Sequence, residues 1–236
     1  MDQLICPNCG AALPVSAAIA EVVTCQYCNV TFRVPRTLTP EPDMGNLVLG
    51  ADFRSEPIAG WGFPNKDKIT LLNNTPPELR FKFKPESGVL YALNTSGYFD
   101  DIDVSVSVQF YEGNADYIDA GIMLRYRKDI GGYMVFIDPV GRYTLAYYEK
   151  GTDALVWKYI LNWTKHSALK PGLNQINRVR FIADKDHLQV YLNGVLATSI
   201  HDSIHKEGEV LLAAESTEKS SIDVGFTDLQ LREVKA

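Results

Sequence analysis

The residues with the clearest chemistry in this sequence are its four cysteines, Cys6, Cys9, Cys25 and Cys28. Two residues separate the members of each pair, and fifteen residues separate the two pairs. A two-residue spacing lets one tight turn aim both sulfurs at the same ion, so two such turns supply four ligands for a tetrahedral metal. The cysteine spacing therefore predicts a metal site rather than disulfides.

The residues around the cysteines suit the turns of such a site. Gly10 in "CPNCG" accepts a positive φ at no steric cost, and Asn29 after the second pair is the next-best residue for that conformation. The stretch from 4 to 35 resembles a zinc ribbon. The resemblance implies structural Zn²⁺ held by all four thiolates, which leaves no open coordination position for a substrate. A rubredoxin-like iron remains the alternative, because tetrahedral sulfur ligands suit both metals.

The ribbon lacks the charge of a nucleic-acid-binding module. Residues 1–34 contain one basic side chain, Arg33, and the whole chain has a net charge of −6. These charges exclude a phosphate-binding surface as the main function, so no nucleic acid is predicted as a partner. The apolar residues of the ribbon, which include Leu13, Val15 and Ile19, predict either a small core or a docking face for a protein.

The sequence shows neither a secretory leader nor a membrane-spanning run. The N-terminus has no basic segment followed by an apolar stretch, and no stretch approaches 18 apolar residues. Thiols that bind metal stay reduced in the cytosol. The predicted localisation is therefore cytoplasmic, with no membrane span.

The composition changes along the chain in a way that predicts three parts. The zinc ribbon occupies 1–34, and a proline-rich linker, "PRTLTPEPDMG", occupies 35–45. Proline removes backbone donors and favours extended conformers, so this linker is predicted to be semi-stiff. A β-sandwich domain is predicted for 46–236.

The third part consists of about fourteen short segments with strand patterns, separated by turn residues. In "DIDVSVSVQFYE" the apolar residues alternate with polar ones, as in a half-buried antiparallel strand. The pair Asn193-Gly194 suits a type I′ hairpin turn. Because no window has a long helical stripe, the predicted fold class is all-β: a small zinc ribbon plus a two-sheet antiparallel β-sandwich.

Four stretches of this part resemble the concanavalin A-like lectin/glucanase superfamily, including laminin G-like modules. They are "ADFRSEPIAGWG", "AGIMLRYRKDIGGYMVFIDPVGRYTLAYYEKG", "NQINRVRFIADKDHLQVYLNGVLATSIHD" and "GEVLLAAES". The resemblance covers nearly all of 46–235. It implies a jelly-roll of two curved sheets whose concave face or rim loops bind glycans or proteins.

The chain lacks the catalytic motif that this resemblance would imply for a hydrolase. Laminarinase-type members carry Glu-x-Asp-x-x-Glu on one strand, which places the carboxylates on one face. The nearest imitations here are "YFDDID", with Asp100, Asp101 and Asp103, and "AESTEKS", with Glu215 and Glu218. We therefore predict no catalytic residue, and a divergent glycoside hydrolase that uses the aspartates is kept as an alternative.

A ligand-binding face is predicted from the aromatic residues between 117 and 163. Sugars bind through aromatic stacking together with a few directed polar groups. The candidate ligand-binding residues are Arg125, Arg127, Asp138, Tyr148, Trp157 and Trp163. Simple alternation places both arginines on the face of Met123. The opposing interpretation is that strand aromatics are core residues, since they pack well there.

The sequence as a whole predicts a non-catalytic binding or assembly protein. Its partner would be a glycan or a protein surface, recognised by the lectin-like sandwich. A self-assembling structural protein, with the sandwich edges as subunit contacts, is a further alternative, so oligomers are allowed. The sequence contains no Asp-x-Asp-x-Asp-Gly loop, so no motif supports a calcium site.

Overall fold

The computed structural model describes residues 6, 8–12, 22–33, 42–54, 58–85, 89–150, 155–216 and 220–235. The predicted linker up to residue 41, the ribbon residues Leu13, Val15 and Ile19, and Glu218 lie outside this described part. The chain divides into two compact units, residues 1–39 and 40–236. Each unit is described by itself below.

The first unit contains a small antiparallel hairpin. Strand β1 (Val22–Thr24) pairs with β2 (Thr31–Arg33), with Val23 opposite Phe32. The turn that joins the two strands carries Cys25 and Cys28. The hairpin thus positions the second cysteine pair.

The second unit is a sandwich of two antiparallel sheets, as the fold class predicted. Its strands are β3 (Leu47–Gly50), β4 (Trp61–Gly62), β5 (Ile69–Leu72), β6 (Glu78–Phe83), β7 (Val89–Thr95), β8 (Ile102–Glu112), β9 (Ile118–Arg127), β10 (Gly131–Ile137), β11 (Arg142–Lys150), β12 (Leu155–Lys165), β13 (Ile176–Asp184), β14 (His187–Leu192), β15 (Val195–His201), β16 (Glu209–Ser216) and β17 (Ile222–Arg232). A three-residue 3₁₀ helix, Lys66–Lys68, precedes β5.

The strands form two sheets. The seven-stranded sheet has the order β12-β11-β10-β9-β16-β7-β4. The eight-stranded sheet has the order β15-β14-β13-β8-β17-β6-β5, with β3 beside β17.

The hairpin between β14 and β15 shows how local sequence sets this topology. Asn193 and Gly194 have φ values of 49° and 81°. A type I′ turn needs a positive φ at both central residues, and its twist matches that of the flanking strands. The structure agrees with the predicted turn at this position.

The main core lies between the two sheets and is built from alternate residues of each strand. Val104 and Val106 of β8 pack in the same apolar cluster as Ile122 and Val135 of the other sheet, and all four are fully buried. Burying such a side chain contributes about 1.5–3 kcal/mol. This cluster defines the inner faces of the sheets, so side chains of opposite phase lie on the outer faces.

The outer side of β8 is more buried than the half-buried pattern predicted. Asp103 and Ser105 are both buried, although they point away from the core. Arg180 of β13 donates to the Pro42 carbonyl (2.8 Å) and to Asp103, while Arg178 donates to Ser105 (2.7 Å). Long side chains and the incoming chain therefore cover this face.

The described residues contain no helix long and apolar enough to cross a bilayer.

Candidate metal centre and candidate ligand-binding face

The four cysteine sulfurs form one cluster. All four Sγ atoms lie within 4.8 Å of one another, and all four cysteines are free of disulfides. The Cys6–Cys28 and Cys9–Cys25 sulfurs are each 3.7 Å apart. A disulfide needs about 2.05 Å, whereas sulfurs about 2.3 Å from a tetrahedral ion are about 3.8 Å apart. The geometry therefore fits four ligands of one metal.

The two cysteine turns have the same backbone hydrogen bonds. The Cys6 amide donates to the Ala11 carbonyl (2.9 Å), as the Cys25 amide donates to the Val30 carbonyl (3.0 Å). The Gly10 amide likewise bonds back to Cys6, and the Asn29 amide bonds back to Cys25. Because both turns need a left-handed residue after the second cysteine, Gly10 (φ 70°) and Asn29 (φ 55°) occupy equivalent positions.

Two thiols of the cluster, Cys9 and Cys28, have pKa shifts of opposite direction. The Val30 amide, followed by the Asn8 side chain, lowers the pKa of Cys28 to about 6. The Ala11 amide lowers the pKa of Cys9, but the hydrogen bonds to the other sulfurs, first to Cys28, outweigh it and raise the pKa to about 12. Four thiolates this close repel one another, so a bound cation is needed to hold all of them deprotonated.

The outer face of the seven-stranded sheet carries a second apolar cluster, which we call the aromatic face. Its members come from six neighbouring strands, in the order β12-β11-β10-β9-β16-β7. The buried members are Met123, Tyr126, Met134, Phe136, Ala146, Tyr148, Leu211 and Ala213, and the partly buried ones are Val89, Tyr91, Trp157 and Trp163. An apolar outer face that includes partly exposed aromatic rings is the strongest candidate for a ligand-binding surface.

A break in the alternation of β9 changes which side chains reach this face. Arg125 has a φ of 53°, and the pairing of β9 with both neighbours shifts register nearby. Beyond this bulge, Tyr126 joins Met123 on the aromatic face instead of following Leu124 into the core. The simple alternation assumed from sequence is wrong here, because a bulge inserts one residue into the period.

Arg125 lies near the end of β9, where its side chain binds backbone carbonyls of two other segments. Its side chain is buried; Nε donates to the Asp100 carbonyl (2.7 Å) and Nη1 to the His205 carbonyl (3.1 Å). Nη2 lies 3.4 Å from Asp101. Its position therefore separates Arg125 from the aromatic face where the sequence placed it.

Arg127 lies at a cavity at the end of β9. Its Nη1 is 3.4 Å from Glu207, and its guanidinium lies 5.3 Å from the centre of the Tyr98 ring. The cavity has a volume of about 520 Å³ and is also lined by Ile130 and Ile204, both exposed. Arg127 is therefore accessible, but it belongs to the strand ends rather than to the aromatic face.

Asp138, Tyr148, Trp157 and Trp163 are brought to the outer side of the seven-stranded sheet. Asp138 is buried and accepts hydrogen bonds from the Arg142 amide (2.8 Å) and Nε (2.5 Å). Arg142 in turn lies 5.9 Å from the centre of the Trp163 ring. The Tyr148 and Trp157 rings are in contact, with centroids 3.7 Å apart. Asp138 therefore positions Arg142 beside a tryptophan.

Two tyrosines complete the opposite side of the aromatic face. The Tyr91 hydroxyl donates to the Tyr126 hydroxyl at 2.9 Å, and their ring centroids are 5.2 Å apart. Burial raises the pKa of Tyr91 above its ordinary value, and burial followed by the charge of Glu215 does the same for Tyr148. Both hydroxyls therefore stay protonated and able to donate.

Two carboxyl residues, Asp119 and Glu215, also lie on this face. The sequence interpretation missed Asp119 and named Glu215 only as an imitation of the hydrolase motif. They lie directly opposite each other on β9 and β16. Both alternate with core residues, so both point outward. Their signal in the sequence is a carboxylate inside an alternating apolar strand, although only the fold shows that the two strands are neighbours.

The environment of these two carboxyls is unusual. The Oδ1 atom of Asp119 is buried and has no hydrogen-bond partner among the described residues. Burial, followed by the charges of Glu215 and Asp138, raises the pKa of Asp119 well above its ordinary value. Burial also raises the pKa of Glu215. Carboxyls with raised pKa values in an apolar surface are typical of functional sites.

The aspartates proposed for a divergent hydrolase are used elsewhere. Asp103 binds Arg180 with both oxygens, at 2.8 and 2.7 Å, on the outer face of the eight-stranded sheet. Asp101 accepts the Lys185 amide (2.6 Å), and Asp100 offers its carbonyl to Arg125. The carboxyls of Asp101 and Asp103 are therefore held by structural partners. The Asp100 carboxyl accepts the Asp101 amide (2.8 Å), and Asp100 lines the cavity beside Arg127.

Comparison with known proteins identifies the fold of the chain. No protein-family model matches the sequence, and no curated protein matches it at a significant level. Among solved structures, the carbohydrate-binding module CBM66 from Bacillus subtilis is 19% identical, with a TM-score of 0.53 over 74% of this chain and 96% of that chain. A glycoside hydrolase family 16 endo-glucanase from Bacteroides ovatus is 10% identical, with a TM-score of 0.60 over 78% of this chain and 100% of that one. The β-glucanase of Bacillus licheniformis is also 10% identical, with a TM-score of 0.54 over 82% and 100%. At these identities the likeness shows the fold alone, and the fold is a jelly-roll sandwich of the concanavalin A-like type.

Proposed function

We propose that this protein binds carbohydrate on the aromatic face, without hydrolysing it, and that its cysteines hold a structural zinc ion. The observation that carries the proposal is the combination of partly exposed rings, Trp157 and Trp163, with the outward carboxyls of Asp119 and Glu215. The same fold in a carbohydrate-binding module and in glucanases supports it. The fold alone cannot carry the proposal, because one fold hosts many functions.

The chemistry of the face matches the requirements of a sugar. The axial C–H groups of a pyranose pack on an aromatic ring, and its hydroxyls need directed donors and acceptors. Trp157, supported by Tyr148, would provide the stacking surface. The carboxyl of Asp119 would provide an acceptor that lacks a protein partner.

A titration with neutral oligosaccharides tests this proposal. Isothermal titration calorimetry of the full chain would use cellohexaose, laminarihexaose and a mixed-linkage β-glucan oligosaccharide. We expect Trp157→Ala to weaken binding at least tenfold, about 1.4 kcal/mol, because it removes the stacking ring. Tyr98→Ala is the matched control, since Tyr98 is an exposed ring near Arg127 and outside the aromatic face.

Two results would contradict carbohydrate binding at this face. One is the absence of heat or of any spectral change with every glycan tested. The other is an equal loss of affinity in Trp157→Ala and Tyr98→Ala, which would place the binding elsewhere.

A second candidate function is glycoside hydrolysis by Asp119 and Glu215. Directly opposed residues of antiparallel strands have Cβ atoms about 4.5–5.5 Å apart. That placement allows the separation of about 5–5.5 Å found between the carboxyls of retaining glycosidases. A raised pKa suits a general acid, and the pKa values of both groups are raised. Release of reducing ends by the wild type but not by Glu215→Gln would favour hydrolysis over simple binding.

The proposed zinc ion has a separate test. The four thiolates fill a tetrahedral coordination sphere, so the ion would staple the small unit rather than act on a substrate. We expect one zinc per chain by elemental analysis and its loss in Cys6→Ser. Chelation should abolish the ordered signals of residues 22–33 and leave the melting of the sandwich unchanged. Iron in place of zinc, or no bound metal at all, would overturn the assignment.

A further inference from the structure

One end of the aromatic face collects carboxylates from three neighbouring strands. Strand β9 begins beside Asp119, β10 ends just before Asp138, and β16 ends just after Glu215. The neighbouring strands are antiparallel, so these positions meet at the same end of the sheet. We call Asp119, Asp138 and Glu215 the acidic end.

Arg142 is a cation that contacts this end. It donates to Asp138 and lies 3.6 Å from Asp116, and its charge partly offsets the raised pKa of Asp119. Asp119 and Glu215 form no ion pair with any described residue. A bound cation would therefore favour the ionised forms of these two carboxyls.

The buried Oδ1 of Asp119 is a second, independent observation that points to a ligand. A buried acceptor without a partner is costly, so such a group in a native protein calls for an explanation, and a bound ion or water is one of them. The apolar side chains of the adjacent aromatic face increase this cost. A ligand that brings a hydrogen-bond donor would remove the penalty.

A metal ion is a poor fit for this position. Among the described residues, only the four cysteines bring three or more metal-ligating atoms close together. The carboxylates of the acidic end are therefore too dispersed to coordinate one ion. An organic ammonium has three donors that point in different directions and can bridge carboxyls that a metal cannot.

We infer that the acidic end recognises the protonated amine of a hexosamine residue within the bound glycan. This inference rests on the proposed carbohydrate binding by the aromatic face. The ammonium would donate to Asp119 and Glu215, while the sugar rings lie on the aromatic side chains. Tyr148 and Trp163 add cation–π attraction, because an aromatic ring attracts a cation within about 6 Å of its centre.

The test compares three hexasaccharides of equal length on the full chain. They are the glucosamine hexamer, its fully N-acetylated form and cellohexaose, titrated at a pH at which the free amine is protonated. We expect the glucosamine hexamer to bind at least tenfold more tightly than the other two. Asp119→Asn and Glu215→Gln should each remove this preference, so that each variant binds the glucosamine hexamer no more tightly than it binds cellohexaose.

Glu112→Gln is the matched control for non-specific attraction. Glu112 is an exposed carboxylate on the other sheet, and its substitution changes the net charge by the same amount. Hexalysine is the control for a polycation without sugar rings. An equal loss of affinity in Glu112→Gln, or equally tight binding of hexalysine, would overturn the inference, because the attraction would then be general.

The outcomes separate this inference from the function on which it rests. Binding of cellohexaose with no preference for the amine would sink the amine site and leave carbohydrate binding standing. Failure of all three hexasaccharides would remove both. Circular dichroism melts of each variant would show that a loss of binding is not a loss of folding.

Discussion

The outer faces of the two sheets have the same two-residue period, but they differ in how their buried carboxyls are paired. On the eight-stranded sheet, Asp103 and Arg180 are buried together and bind through two hydrogen bonds. On the seven-stranded sheet, Asp119 and Glu215 face each other as like charges. Violations of such local rules are expected at functional or strained sites. The contrast therefore supports the proposal that the seven-stranded face binds the ligand.

The eight-stranded face extends its ion pairing along the sheet. Asp223 is buried and binds both Arg80 and Lys82, and Arg80 lies 3.3 Å from the centre of the Tyr111 ring. The hydrogen bonds to these two cations lower the pKa of Asp223 even though burial opposes this shift. On this face each described buried carboxylate has a cation beside it, so the face needs no ligand.

The largest expected effect comes from breaking the buried pair. Asp103→Ala should destabilise the sandwich by about 3–5 kcal/mol, because it removes the buried carboxylate that holds the Arg180 guanidinium through two hydrogen bonds. Urea unfolding measures the change. The double variant Asp103→Leu/Arg180→Met is the control and should recover most of the loss, since no charge is left unpaired. An equal loss in both variants would mean that the pair does not stabilise the face in this way.

Removing a carboxyl from the seven-stranded face should have the opposite effect and raise the free energy of unfolding. Asp119→Asn keeps the shape of the side chain and removes the like-charge contact with Glu215. We expect it to stabilise the protein by about 0.5–1 kcal/mol at pH 7, the size of a cross-strand pair interaction. If Asp119→Asn proved less stable than the wild type in the same urea experiment, the Asp119 carboxyl would not lower the stability of the folded protein.

The pH dependence should sharpen the same contrast. Burial raises the pKa values of Asp119 and Glu215, so the folded state binds protons more readily than the unfolded state. Their contribution to the free energy of unfolding therefore rises as pH falls from 7 towards about 4. The stability advantage of Asp119→Asn/Glu215→Gln over the wild type should be greatest at pH 7 and shrink on acidification. If the stability advantage of the variant did not change with pH, the pKa values of Asp119 and Glu215 would not be raised in the folded state.

His205 provides an opposing pH effect in the wild type. Burial lowers its pKa below the ordinary value of 6.5. The stability that its neutral form contributes is present above pH 6.5 and is lost as pH falls through the lowered value. Its Nε2 donates to the Tyr148 carbonyl at 2.7 Å. Because the Asp119→Asn/Glu215→Gln variant and the wild type both contain His205, its contribution to stability cancels when the two proteins are compared.

The smallest expected effect is at the exposed margin of the eight-stranded face. Glu112 pairs with Lys82 at 2.8 Å, but both side chains are more than half exposed. Exposed ion pairs contribute little because water and salt screen them. Glu112→Gln should leave the urea midpoint unchanged within error, and added salt should make no difference. A clear loss of stability would show that this pair belongs to the buried network of Asp223.

The sequence by itself determined the features that depend on local spacing. The two cysteine turns follow from the two-residue spacing and from Gly10 and Asn29, which accept a left-handed backbone. The all-β class follows from strand alternation, and the β14–β15 turn follows from Asn193-Gly194. These features are readable because each depends on residues only a few positions apart.

Only the tertiary structure decided which residues share the candidate face and which charges meet. Asp119 and Glu215 are distant in sequence and become neighbours because β16 inserts between β9 and β7 in the sheet. The bulge at Arg125 redirects Tyr126 to the aromatic face and buries the arginine that the sequence assigned to a ligand. Asp103 is polar in sequence, but it is buried because the Arg180 side chain of the neighbouring strand reaches it and binds both of its oxygens. Strand order and register are set by the packing of the whole core, and no local pattern contains that information.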